Sequence, residues 1–105
     1  MKLITKEIEK KLEKYPLYSQ DGKGEDADII CKFFNPYGRG TWYVLEGEKQ
    51  VNGDWCFYGI VELFEREYGY FYLSDIENVS IKVFGLDMSL ERDAYFTNKK
   101  VRDIK

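Results

Sequence analysis

The chain contains no histidine. That absence removes the side chain that titrates near neutrality and the commonest zinc ligand. A cysteine–histidine nucleophile pair and a serine–histidine–aspartate triad are both excluded. Only two cysteines are present, Cys31 and Cys56. They are too few and too isolated for a thiolate zinc site, and no cofactor is implied. Apolar runs fall well short of the ~20 residues that span a bilayer, so no membrane partner is expected. The first residues lack the basic, apolar and small-residue order of a secretory leader. With so few cysteines, the reading is a reducing, cytoplasmic setting with both thiols free.

What is plentiful is aromatic surface. Nine Tyr, seven Phe and two Trp make up 17% of 105 residues, more ring area than a small core absorbs. The excess points to rings at an interface. Sixteen Lys and Arg stand against nineteen Asp and Glu, for a net charge of −3 and a pI near 5.0. That balance argues against direct nucleic-acid binding and suits a basic protein surface. A composition 44% hydrophobic and 33% charged reads as globular. The length fits a single domain, expected over residues 1–96, with 97–105 as a frayed, polar and basic tail.

The pattern predicts an α+β fold: an antiparallel meander of three to five strands, an N-terminal helix and one or two short helices. Thr5 is placed to cap a helix in which Ile4, Ile8, Leu12 and Tyr15 share one side, and Pro16 stops it. Residues 21–26 (DGKGED) form a polar turn without phosphate-loop spacing. Strands are expected over 27–34, 41–46 and 54–60, the last two joined through an Asn52-Gly53 hairpin. Residues 61–68 read as a short helix closed by Gly69, with extension of the third strand as the alternative. Tyr70 to Leu73 is a short strand. Ser74 and Glu77 match a capping box, so a brief helix begins at Ser74. Ile81 to Phe84 forms a further strand, and 85–89 a loop.

Alternation along the three main strands leaves both sheet faces apolar or aromatic. One face packs on helices. The other is either covered by the last third of the chain or offered to a partner, including a second copy in a homodimer. On that reading Trp42, Tyr43 and Tyr58 are candidate anchors, and Glu46 and Asp54 candidate steering charges. In a meander, Cys31 and Cys56 lie on strands about 9.5 Å apart, beyond the roughly 7 Å a disulfide allows.

Carboxylates are numerous, and Asp28 with Lys32, or Glu46 with Asp54, are the pairs from which a magnesium-dependent DNA-nicking site would be built. No spacing singles one out, so solvated acids and local ion pairs are the simpler expectation, with no metal site. Glu91, Arg92 and Asp93 form a cluster with an expected structural role. Their charges pair internally, or Arg92 grips a carboxylate of the sheet. Aromatics near Lys32 and Arg39 resemble a base-stacking platform, which leaves a single-stranded nucleic-acid-binding accessory protein for plasmid transfer as another alternative.

Several segments together carry a resemblance. They are 3–7 (LITKE), 32–36 (KFFNP), 41–47 (TWYVLEG), Gly53-Asp54 before an aromatic strand, 67–71 (EYGYF), and Glu91-Arg92-Asp93 followed by Phe96. Over nearly the whole chain to Phe96 the sequence resembles a domain-of-unknown-function family of proteins of about this length, carried on plasmids, phages and conjugative elements. The resemblance implies a mobile-element cargo protein acting in a bacterial host. It also implies relatives that are anti-CRISPR proteins, inhibitors of the type II CRISPR nuclease Cas9. It supplies no catalytic residues. The expected function is therefore an anti-defence protein that binds and inhibits a host nuclease, Cas9 or its guide complex, without chemistry of its own.

Overall fold

The computed structural model describes residues 2–104. Helix α1 (Lys6–Leu12) is followed by strands β1 (Asp28–Ile29), β2 (Cys31–Phe34), β3 (Thr41–Lys49), β4 (Trp55–Glu62) and β5 (Arg66–Tyr72). Helix α2 (Leu73–Glu77) then leads to β6 (Ile81–Val83), β7 (Leu86–Met88), β8 (Glu91–Arg92) and β9 (Lys99–Lys100). The central sheet has five strands in the order β5-β4-β3-β2-β8, all antiparallel. Two small ribbons, β1-β9 and β6-β7, flank it. The α+β meander read from the sequence is the observed fold.

Local chemistry accounts for most boundaries. The Thr5 hydroxyl accepts from the Ile8 amide at 3.2 Å, capping α1 as expected. The helix ends earlier than its apolar spacing suggested, and the Tyr15 carbonyl instead accepts from Gly47 N–H at 3.0 Å. The β3–β4 turn places Gly53 at a φ of 89°, a conformation suited to glycine. Residues 61–68 are not helical. β4 runs on to Glu62, a three-residue turn reverses the chain, and β5 returns with Glu62 opposite Arg66 and Ile60 opposite Tyr68. Cross-strand aromatic pairing outweighed the weak helical pattern. Residues 86–88, expected as loop, form β7 instead.

Each face of the sheet has its own core. On one, Phe33, Val44, Phe57 and Phe71 pack under Leu3, Ile4 and Leu12 from the N-terminal segment and Ile76 from α2. On the other, Tyr43, Leu45 and Ile60 are covered by Ala27, Ile29 and Val101, with Phe96 and Ile104 packed against them. The last residues are therefore no frayed tail. Lys99 and Lys100 pair with Ile29 and Asp28, and Val101 is buried in a 3-10 turn spanning Val101–Ile104. Cys31 and Cys56 are buried and unpaired on strands separated by β3. Burial pushes the Cys31 thiol up to about 12 and raises that of Cys56.

Arg92 reaches across to the N-terminal segment. Its guanidinium donates to the carbonyls of Lys2 and Leu3, tying the N-terminal segment to the β8 edge. Glu91 and Arg92 pair with Phe34 and Phe33, while the Asp93 amide donates to the Lys32 carbonyl at 2.9 Å. The cluster closes that edge of the sheet.

Candidate interaction surface

Coverage of the second face is partial. The C-terminal segment reaches Tyr43 and Ile60, but the half built from β4 and β5 stays open. Alternation puts Tyr58 of β4 and Tyr68, Tyr70 and Tyr72 of β5 on this side, with Tyr58 directly opposite Tyr70. The Tyr58 and Tyr70 rings lie 5.0 Å apart, tilted by 57°, and Tyr58 stacks on Tyr68 at 6.3 Å. Tyr68 and Tyr70 remain 52% and 54% exposed.

A fourth ring arrives from outside the sheet. Tyr18 is 65% exposed and sits in the loop after α1 with a φ of 74°. Glu46 holds that loop: its carboxylate accepts from the amides of Tyr18 and Gln20, each at 2.8 Å. Gln20 in turn donates to the carbonyls of Asp28 and Leu45 and accepts from the Asp28 amide. The Tyr18 hydroxyl, hydrogen-bonded to Tyr70, holds the Tyr70 phenol up at about 12. The Tyr58 phenol is raised by burial and then by the charges of Glu46 and Asp21. Both phenols are therefore neutral donors at physiological pH. A cavity of about 300 Å³ opens between this loop and the rings, lined by Gln20, Asp21, Glu46, Tyr58 and Tyr68 among others. Exposed Asp21 adds negative charge at its margin.

The residues singled out from sequence separate in space. Tyr58 lies at the centre of the open patch. Tyr43 is 7% exposed and buried beneath the C-terminal segment. Trp42 is half-buried and packs against the opposite core. Glu46, expected as a surface charge, is 2% exposed. The reason is a bulge between Val44 and Glu46, which turns Glu46 to the face opposite Val44 and under the loop. Asp54 is a clasp: it accepts from the Trp55 and Ser74 amides at 2.8 and 3.1 Å and from the Ser74 hydroxyl at 2.6 Å. These bonds hold its carboxyl below the usual carboxylate range, the Ser74 hydroxyl contributing most. Ser74 is thus spent on Asp54. α2 has Tyr72 at its N-cap, and Asp75 accepts from the Tyr72 amide at 3.1 Å.

Tyr18, Tyr68 and Tyr70 were not singled out from the sequence. The alternation of Tyr68, Tyr70 and Tyr72 was the available signal, and reading 61–68 as helix obscured it. Lys32, placed near a stacking platform by sequence, lies 5.8 Å from the Phe34 and Tyr43 rings and 3.9 Å from Asp93. Asp28 accepts from Lys100 at 2.8 Å and from the Tyr15 hydroxyl at 3.0 Å, bonds that lower its pKa. Among the described residues, no three His, Cys, Asp or Glu side chains converge to hold a metal ion, and no helix is long and apolar enough to cross a membrane.

No significant match is found among curated proteins or among solved structures. A family model does match, and it covers residues 3–102, from the N-terminal segment through the pairing of β9 with β1. The chain belongs to that family, whose description is "Protein of unknown function (DUF2958)".

Proposed function

We propose that this is a binding protein that engages a basic protein surface through the tyrosine patch of β4, β5 and the Tyr18 loop. One observation carries the reading. Tyr18, Tyr58, Tyr68 and Tyr70 form a contiguous cluster on the open part of the sheet, with Asp21 and Glu46 beside it. Tyrosine loses little conformational entropy on contact and combines a flat apolar body with a polar tip, which makes it a frequent anchor in interfaces. Its ring face attracts guanidinium and ammonium groups, and carboxylates at the margin strengthen that preference and speed encounter.

The target we propose is a host defence nuclease, and first the type II CRISPR nuclease Cas9 or its guide complex. Two considerations support it: the resemblance to cargo proteins of phages and plasmids, and the basic channel that such nucleases present to nucleic acid. Action would then be by occupancy, in the bacterial cytoplasm. A guided DNA-cleavage assay tests this, run with Cas9, guide and target, with and without this protein, beside a lane of protein and DNA alone. The expected result is reduced cleavage and intact DNA in the control lane. Magnesium-dependent relaxation of plasmid in the control lane, abolished by chelator, would replace this reading with a nicking enzyme. Salt-sensitive binding to single-stranded oligonucleotides with undiminished cleavage would replace it with a nucleic-acid-binding accessory protein.

A further inference from the structure

The two edges of the central sheet are built differently. The β8 edge has two residues, Glu91 and Arg92, and the N-terminal segment is tied across it by Arg92. Short, charged and covered is how proteins blunt an edge against pairing. The β5 edge has none of these devices beyond its first turn. It runs seven residues, Arg66–Tyr72, with charges only at Arg66 and Glu67, no proline and no lysine. Among the described residues no strand pairs with its outer side, and alternate backbone groups there face outward.

Gly69 lies at the centre of this strand. Inside a strand, glycine weakens the element unless a bend, a left-handed φ or a close backbone approach requires it. Gly59, opposite it on β4, has such a reason: a Cβ there would come within 1.8 Å of the Tyr43 carbonyl oxygen. Gly69 has none within the chain. Its φ is not left-handed, and an added Cβ would meet nothing within 4 Å. The centre of the β5 edge is therefore sterically open.

We infer that β5 pairs antiparallel with β5 of a second copy, the two-fold axis passing at Gly69, so that two five-stranded sheets become one continuous sheet. The sequence about Gly69 is locally palindromic, Tyr68-Gly69-Tyr70, which is what an isologous strand pair needs. In this register Gly69 faces Gly69 of the other copy and Tyr68 faces Tyr70. Glu67 faces Phe71 and Arg66 faces Tyr72, so no like charges are opposed. The tyrosine rows of the two copies then lie side by side on one face. This inference stands on the edge and on Gly69, and does not depend on which partner the tyrosine patch meets.

The test is register-specific. Directly opposed residues of an antiparallel pair have Cα atoms about 4.5–5.5 Å apart, within disulfide reach. Gly69→Cys fits the open space at that position, and the two native thiols are buried. Under mild oxidation the full-length Gly69→Cys protein should run predominantly as a covalent dimer on a non-reducing gel. Wild type should not cross-link. Nor should Glu67→Cys, whose opposed copies would sit roughly 14 Å apart. Sedimentation of wild type should shift from one copy to two as concentration rises. Monomeric wild type at every concentration would overturn the inference. So would a dimer that Gly69→Cys fails to lock, or equal cross-linking through Glu67→Cys. Protection of the β5 amides from exchange by an added extended basic peptide, with the protein itself monomeric, would assign the edge to a different occupant and overturn it equally.

Discussion

Two residues that are not tyrosines matter most to the shape of the open patch. Glu46 is a buried carboxylate whose two oxygens satisfy two loop amides, so its removal leaves the amides of Tyr18 and Gln20 without acceptors. Hydrogen bonds to a charged acceptor in this setting are worth about 1.5–3 kcal/mol. Glu46→Ala should cost about 2–3 kcal/mol in urea unfolding and should increase amide exchange across the Tyr18 loop. Gly59 is the other. It sits opposite Val44, where the β3 bulge begins, with the β3 backbone pressed against its Cα. Gly59→Ala forces backbone to move and should destabilise by about 3 kcal/mol. Gly69→Ala, one strand over, meets open space, so thermal unfolding of the two variants should separate them clearly.

At the level of elements, two contacts decide how the sheet is covered. The segment holding β9 and the Val101–Ile104 turn is the lid of the second core. Deleting residues 97–105 uncovers Ile29, Tyr43, Leu45 and Ile60 and should cost about 3 kcal/mol, with new binding of a hydrophobic dye. The second contact is the Asp54–Ser74 clasp between the start of β4 and α2. The folded-state pKa of Asp54 is depressed, so the clasp contributes fully above the unfolded value near pH 4 and is lost as pH falls through the lower, folded value. Asp54→Asn should therefore lower stability at neutral pH and make the decline below about pH 4 shallower, as read from urea midpoints across that range.

Much of this architecture was legible in the residues. Thr5, the Asn52-Gly53 turn and the alternation of β3 and β4 each act through local rules and formed where they pointed, whereas the strand expected over 27–34 is broken at Ile30 into β1 and β2, which join different sheets. The docked C-terminus was not legible, because Val101 and Ile104 are isolated apolar residues among charges and gain meaning only from the surface they meet. The position of Glu46 was hidden for a different reason. A bulge adds one residue to one strand, and strict alternation then assigns every later side chain to the wrong face. Tyr58 was legible as part of a site. Its neighbours Tyr18 and Tyr70 come together through a loop pinned 28 residues away from its acceptor, a contact no window of sequence contains.

For the whole molecule, two sides of the sheet differ in how far they are covered. The side bearing α1 and α2 is packed and closed. The β4–β5 half of the other side presents neutral tyrosines with acids beside them, and the β5 edge is available for pairing. The most direct measurement compares inhibition of Cas9-guided DNA cleavage by wild type, by the double variant Tyr58→Ala/Tyr70→Ala, and by Phe64→Ala. Phe64 is 88% exposed in the β4–β5 turn, with Arg39 above its ring at 5.2 Å, and serves as an aromatic control. The prediction is that wild type and Phe64→Ala inhibit alike, while the double variant stays folded and loses roughly 30-fold or more in potency. A folded double variant that inhibits as well as wild type, or a wild type that neither inhibits nor binds the nuclease, would contradict it.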